Sequence, residues 1–599
     1  MRTAVFMAVL IATATSLFMA GSLHAVGPRP ETIRILEGDP DGLRTGLRYF
    51  SERPPIVDLP RLPATARATG DCRALVILVD FQDKPSDAGR PPAFFTDMLF
   101  GDAVTSMRSF FLENSYGMFS LEGNVGGWIR STCPHGEFIN RDGVPGTIDD
   151  YGLDVSPSAI QPSVCDYPLN IWGMVAMAVD LADDDIDFSQ YDNDGPDGVP
   201  DSGDDDGYVD AMMIVHSGPG AETLGTLPSS VNLIWSMQSD LDYYSPTRNT
   251  VADGVRIGPF AMVPEIGEIG VYAHEFCHLL GLPDLYDTHT GLPVVGRFCL
   301  MDEGVWNGPQ FSAGSVPSHL CAPMKYFLGW IEPEEVCLGC GGPETIEGAA
   351  IHPLGTSGSA YRLLGNPGGL NWSADGTGDG EYFILENRQS NRGYYEAYLP
   401  ASGMVIWKVN ESRPDNNDLM LPLATIVQAD GEVVDRDAPG MNIPDGPTDV
   451  WPGSLNKRNF TPTTDPSSSL SGDRFSGVSV EEITRNATGV VSADISVGLS
   501  TKGIVYAYPN PYRLTETLPL RIVFLPDPGP DQPLSFSVRI FNLEGDLVRV
   551  LESAAETTGN GTALWDARDE SGRTVEPGVY FYAVESSGQE ATGTIGISR

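Results

Sequence analysis

The sequence predicts a multidomain fold: a mixed α/β (α+β) domain first, then β-sandwich domains. Three observations carry this expectation. The chain has 599 residues, more than a single hydrophobic core usually organises. A strand-like apolar run at 211–216 and a run of helical period at 269–280 both lie in the first part. From about Gly342 onward, short β-like runs follow one another between Gly, Pro and Asn.

Taken in order, residues 1–25 read as a signal peptide. Arg2 supplies positive charge, residues 4–20 are largely apolar, and Leu23-His24-Ala25 puts a small residue before a cut. The apolar run is short for a membrane span, so export to an extracellular location is expected, without stable membrane insertion. Residues 26–71, rich in Pro and Arg, read as a propeptide or an extended lead-in. Eight cysteines, an even number, lie between Cys72 and Cys340 and fit an oxidising destination. Cys133 with Cys165 is a reasonable pair, although spacing alone leaves the connectivity open. Cys337-Leu338-Gly339-Cys340 reads as a structural disulfide or as two pairings made elsewhere.

The net charge is −45, from 36 basic and 81 acidic residues. That balance excludes nucleic acid and anionic membrane as expected partners. Twelve aspartates and no basic residue fall between Asp183 and Asp210. So much unpaired negative charge resists ordering unless a hard cation gathers the oxygens. Tyr191-Asp192-Asn193-Asp194-Gly195 and Asp206-Gly207-Tyr208-Val209-Asp210 look like the two halves of a calcium loop separated by residues 196–205. Asp192, Asp194, Asp206 and Asp210 are the expected Ca2+ ligands, against the alternative of a solvated acidic loop.

The densest chemistry lies in Ala273-His274-Glu275-Phe276-Cys277-His278-Leu279-Leu280-Gly281-Leu282-Pro283-Asp284. His274 and His278 are four apart, so on a helix they share a face. Two imidazoles can supply two of the three protein ligands that catalytic zinc usually takes. Glu275, next to the first histidine, is placed to serve as general base for the attacking water. Gly281 is expected to end the helix and Pro283 to keep it ended. The chain can then return Asp284 as third Zn2+ ligand, with Asp287 as the alternative. This H-E-x-x-H-x-x-G-x-x-D pattern resembles the metzincin form with Asp in place of the last His. Met301 is a candidate for the methionine turn beneath such a metal, with ordinary core packing as the competing role.

Together these residues resemble the immune-inhibitor-A-type secreted zinc metallopeptidases. The likeness extends to Leu75-Val76-Ile77-Leu78-Val79-Asp80-Phe81 and to Ser109-Phe110-Phe111-Leu112-Glu113-Asn114-Ser115-Tyr116-Gly117. It also takes in Pro317-Ser318-His319-Leu320 and Glu381-Tyr382-Phe383-Ile384-Leu385-Glu386-Asn387-Arg388, and covers about residues 73 to 497. The resemblance implies a metzincin-like zinc metallopeptidase catalytic domain at 72–341, with His274, His278 and Asp284 as ligands and Glu275 as base. One departure is Lys408, where the family often shows histidine.

Residues 342–498 read as a β-rich accessory domain, a brace or a substrate-binding surface. Residues 499–599 resemble FlgD-like immunoglobulin-type β-sandwich domains, on the strength of Tyr508-Pro509-Asn510-Pro511-Tyr512, Trp565-Asp566-Ala567 and Pro577-Gly578-Val579-Tyr580. Such a domain implies contact with secretion or cell-surface machinery, or a passive stabilising role. The expected function is a secreted zinc-dependent endopeptidase acting on proteins or peptides. The alternative is an inactive metallopeptidase-fold adhesion or binding protein that works through its β domains.

Overall fold

The computed structural model describes residues 24–25, 68–139, 152–153, 166–193, 202, 205–224, 232–243, 250–338, 340, 343–366, 380–435, 442–474, 476–498, 504–515, 519–525, 536–543, 545–552, 557–558, 562–586 and 589–599. Of the expected signal peptide, only His24 and Ala25 are among them, and Asp194 lies outside them. The chain divides into two compact units. One comprises residues 1–336, 347–458 and 482–494; the other comprises 337–346, 459–481 and 495–599. The segment expected as an accessory domain, 342–498, is thus shared between them, with most of it in the first.

The first unit is built on a six-stranded sheet. Its strands are β1 (His24–Ala25), β2 (Gly70–Asp80), β3 (Phe119–Arg130), β4 (Met212–Pro219), β5 (Met237–Asp240) and β6 (Pro259–Ile266). The spatial order is β1-β5-β6-β4-β2-β3. The contiguous apolar run in β2 follows from its central position, because both of its faces are covered. Ala74, Val76 and Leu78 point into one core, while Leu75, Ile77 and Val79 point into the other. β3, β2, β4 and β6 run parallel, and β5 returns antiparallel against β6. β1 adds an antiparallel edge, with His24 opposite Gln238.

Helices cover both faces. They are α1 (Pro92–Phe100), α2 (Met107–Asn114), α3 (Ile171–Ala182), α4 (Ile269–Leu279) and α5 (Ala322–Phe327). Ser106 caps α2 by accepting from the Ser109 amide at 3.1 Å, and Asn170 caps α3 by accepting from Gly173 at 3.0 Å. α3 buries Ile171, Met174, Val175 and Ala178 against one face of the sheet, and α4 buries Ile269, Tyr272, Ala273 and Phe276 in the core on the other.

A second sheet belongs to this same unit. It contains β7 (Glu334–Val336), β8 (Ala360–Leu363), β9 (Glu381–Arg388), β10 (Gly403–Asn410) and β11 (Ala424–Ile426), in the order β11-β10-β9-β8-β7. Its Ile384, Val405, Trp407, Val409 and Ala424 share one apolar cluster with Phe276 of α4. Burial of that shared surface, at roughly 25 cal/mol per Å2 of apolar area, is what joins the sheet to the helix. Arg388 is fully buried beside it and answered by two carboxylates. It donates to Glu396 at 2.8 and 2.6 Å, to Glu386 at 3.2 Å and to the Phe298 carbonyl at 2.5 Å. A buried guanidinium needs such a complement, since an unpaired one would be expelled.

In the second unit, two sheets close over one core. Ile504–Tyr508, Leu520–Leu525, Thr562–Trp565 and Thr557–Thr558 form one; Tyr512–Arg513, Gln589–Ser598, Gly578–Ser586, Phe536–Phe541 and Leu547–Glu552 form the other. Leu520, Ile522 and Trp565 from the first meet Val538, Ile540, Val584 and Ile595 from the second. Trp565 packs edge-on to Tyr580 with ring centres 5.7 Å apart, and its indole N–H donates to the Arg568 carbonyl at 2.9 Å. Cys337 and Cys340 are joined as a disulfide. Cys133 is disulfide-bonded as well, and Cys165 lies outside the described residues. Among the described residues, no helix is long and apolar enough to cross a membrane.

Candidate metal centre

α4 carries both histidines on one face, as the four-residue spacing requires. The helix ends where glycine was expected to end it. Gly281 sits at φ +87°, in the left-handed region, and donates its N–H to the His278 carbonyl at 2.9 Å. Leu282 N–H then donates to the Cys277 carbonyl at 3.1 Å, which turns the chain back on the helix. The reversal brings Asp284 to the histidines.

Three potential ligand atoms converge there. Asp284 Oδ1 is 3.1 Å from His274 Nε2 and 3.3 Å from His278 Nε2, and the two Nε2 atoms are 3.1 Å apart. All three side chains are buried. His274 Nδ1 lies 3.0 Å from the Leu300 carbonyl and His278 Nδ1 lies 2.7 Å from the Leu282 carbonyl. Carbonyls only accept, so each Nδ1 carries its hydrogen as donor, which in a neutral ring leaves Nε2 to present a lone pair. Two lone pairs and a carboxylate oxygen facing one another repel unless a cation lies among them. Bonds of about 2.0–2.1 Å in a tetrahedron put neighbouring donors about 3.3 Å apart, close to the separations found here. The residues present therefore fit a zinc ion in number, chemistry and spacing. Glu275 is fully buried on the same helix, one residue from His274.

The alternative ligand, Asp287, is occupied elsewhere. Its Oδ1 accepts from the His289 amide at 3.0 Å and its Oδ2 from the Thr290 hydroxyl at 2.6 Å, so it closes a turn. Met301 is fully buried, and its carbonyl accepts from Leu285 N–H at 2.8 Å. Its neighbour Asp302 accepts from the amides of Val294, Val295 and Gly296 at 2.9, 2.7 and 2.9 Å. Burial pushes the Asp302 carboxyl up to about 7, while these amide donors favour its charged form. Lys408, the departure from the family pattern, lies 3.7 Å from Glu381 in the second sheet.

The acidic loop is partly described. Asp192 is buried; Asp210 Oδ2 accepts from Asn193 N–H at 2.8 Å, and Asp210 N–H donates to the Tyr191 carbonyl at 2.9 Å. The two halves read from sequence therefore adjoin at those residues. Asp206 Oδ1 accepts from Tyr208 N–H at 2.9 Å. Among the described residues, Asp192, Asp206 and Asp210 form no convergent three-ligand group of the kind seen at His274, His278 and Asp284.

Several residues that shape the centre carry no local sequence signal. The Leu300 and Leu282 carbonyls are backbone groups, and Asp302 resembles any other acidic residue. Only its place beside Met301 draws notice.

Residues 63–330 match the family model of the immune inhibitor A peptidase M6 catalytic domain. The pre-pro-metalloprotease PrtV of Vibrio cholerae serotype O1 is 28% identical over 305 residues, which are 44% of this chain and 31% of PrtV. Immune inhibitor A of Bacillus thuringiensis subsp. alesti is 27% identical over 312 residues, 45% of this chain and 42% of that protein. The chain thus spans well under half the length of either relative. Among solved structures, PorZ, a bacterial surface component of the type-IX secretion system of Porphyromonas gingivalis, aligns with 21% of this chain and 15% of its own at 25% identity. Its TM-score is 0.14, too low to carry a structural argument. The matched region is similar to metallopeptidase catalytic domains and supports metalloendopeptidase, hence hydrolase, chemistry.

Proposed function

We propose that this chain is a secreted zinc-dependent endopeptidase that hydrolyses peptide bonds of extracellular proteins. One observation carries the reading above the others: three potential donor atoms converge within 3.3 Å of one another among buried side chains, the two ring tautomers set by backbone carbonyls. His274, His278 and Asp284 hold the metal. Zinc bound there supplies a Lewis acid that makes a water nucleophilic near neutral pH and polarises a peptide carbonyl. Glu275 accepts the proton of the attacking water and delivers it to the leaving amine. Glu275 is itself fully buried, which shields its carboxylate from bulk solvent.

The metzincin-like reading of the 72–341 domain rests on the helix, the glycine break and the returning carboxylate in that order. Calcium at Asp192, Asp194, Asp206 and Asp210 serves folding, not chemistry. The β-sandwich at 499–599 is read as a FlgD-like module for sorting or surface attachment. Protein or peptide substrates follow from the chemistry of the site.

Unfolded casein tests the mechanism. Wild-type protein and Glu275→Gln, both with measured zinc content, are compared for release of peptides. The variant is expected to retain zinc and to lose at least about a hundredfold in rate, the scale of general base catalysis. Equal cleavage by the two proteins would falsify the assignment of Glu275.

A further inference from the structure

We propose that Asn416, in the loop between β10 and β11, is a positioning residue for the third metal ligand, an inference that rests on the zinc reading above. Asp284 stands on a segment with no regular secondary structure after Gly281. Its carboxylate can stay on the two imidazoles only if something outside the segment fixes the backbone. Leu285, the next residue, is clamped on both sides of its own backbone. Its N–H donates to the Met301 carbonyl at 2.8 Å, and its carbonyl accepts from Asn416 Nδ2 at 2.8 Å.

The orientation of the Asn416 amide is not adjustable. Its Oδ1 accepts from Ala424 N–H at 3.0 Å, and its Nδ2 donates to the Ala424 carbonyl at 2.8 Å. The side chain therefore pairs with Ala424 as a neighbouring strand would, and a flip would set donor against donor. The pairing consumes the oxygen and one amide hydrogen. The second hydrogen remains, and it is the one given to Leu285. The side chain is fully buried, so water cannot substitute for it.

The adjoining residue strengthens the clamp. Asn417 Oδ1 accepts from Thr288 N–H at 2.7 Å and from the Thr288 hydroxyl at 3.0 Å. Asn417 is held in turn by Asp415, whose carboxylate accepts its backbone and side-chain N–H groups at 2.9 and 2.8 Å. Residues 284–288 are thereby held at two points by a loop more than a hundred residues downstream. The consequence is that metal affinity depends on residues far beyond the zinc motif. The β10–β11 loop acts as an outer shell of the centre by holding the backbone that follows the third ligand.

The test compares zinc binding, by competition with a chromophoric chelator, in full-length wild type, Asn416→Ala and Asn387→Ala. Asn387 is an equally buried asparagine that also bridges two carbonyls, those of Ile351 and Gly489, each at 2.8 Å, away from residues 284–288. Loss of an outer-shell partner typically weakens metal binding 10–100-fold. Asn416→Ala is expected to show a weakening of that order, with a changed visible spectrum of the cobalt-substituted protein. Asn387→Ala should lose thermal stability but keep both zinc affinity and the cobalt spectrum. If Asn416→Ala holds zinc as tightly as Asn387→Ala, the proposal is overturned. If Asn416→Ala does not fold, Asn417→Ala, at a half-buried site, decides through a smaller, several-fold loss, and unchanged affinity there overturns it. Wild type that binds no zinc would instead defeat the zinc reading, and this proposal with it.

Discussion

His319 and Glu113 are 206 residues apart in sequence and 2.8 Å apart in space, Nε2 to Oε1. Lys325 Nζ stands 3.2 Å from the other ring nitrogen. The Glu113 carboxylate is the acceptor at Nε2, so Nε2 carries the hydrogen given to it, and Nδ1 of the neutral ring accepts from the lysine amine. Burial, and after it the nearby lysine, holds His319 well below the usual imidazole range, so the ring is neutral. Glu113 also accepts from the amides of Tyr394 and Tyr395, both at 3.3 Å. The pair thus ties α2, the segment before α5 and the segment after β9 into one buried network.

Replacing His319 by Ala leaves a mostly buried carboxylate and a buried lysine without their common partner. Losses of this kind are about 3 kcal/mol. Urea unfolding of the folded unit should show a midpoint lowered accordingly, with the slope unchanged. A midpoint within error of wild type would mean that the network contributes nothing net.

The same network predicts a pH dependence. Burial pushes the Lys325 amine from its ordinary 10.5 down to about 7, against the favourable carboxylates of Glu396, Glu386 and Glu113. From about pH 7 up to 10.5 the unfolded chain therefore binds a proton that the folded chain does not. Stability contributed by this group rises with pH across that window and is absent below it. Melting temperatures of wild type and Lys325→Met, taken from pH 7 to 10, should diverge, with the wild type gaining relative to the variant. Parallel curves would show that Lys325 is charged in the folded state.

What was legible in the sequence was local. The histidine spacing, the glycine that breaks the helix and the aspartate that follows all lie within eleven residues, and each obeys backbone rules that need no tertiary context. The strands of the second sheet were readable too, but their allegiance was not. Gly, Pro and Asn between short runs look the same whether the strands form their own core or, like Trp407, fill one begun by Phe276. Arg388 with Glu396, and Asn416 with Leu285, are invisible for another reason. In sequence a buried charged or amide side chain is indistinguishable from a surface one, since only its distant partners make it tolerable.

The acidic loop yields a metal prediction separate from zinc. Metal-depleted protein given calcium at a hundred times its dissociation constant should gain about 2.7 kcal/mol of stability. Asp210→Asn, which keeps the side chain's shape, should lose most of that gain. Zinc added alone to the depleted protein should not supply it. The measurement is thermal unfolding with each cation added separately, read alongside resistance to an added protease. No response to calcium in the wild type would leave the loop as a solvated acidic segment.

Two aspartates three residues apart make opposite predictions as candidates for the third ligand of the proposed zinc site. Asp284 Oδ1 faces both imidazoles at 3.1 and 3.3 Å, whereas the oxygens of Asp287 serve His289 and Thr290. Asp284→Ala removes one of three protein donors and the negative charge that balances the cation, so zinc should be lost on dialysis. Asp284→Asn keeps the shape and one oxygen, and should retain zinc only weakly. Asp287→Ala releases a turn without touching the donor set. It should bind zinc nearly as wild type does, with a modest loss of melting temperature. Zinc content by elemental analysis after dialysis separates the two. Stoichiometric zinc in Asp284→Ala together with its loss in Asp287→Ala would transfer the ligand assignment and require the turn at residues 287–290 to open when metal binds.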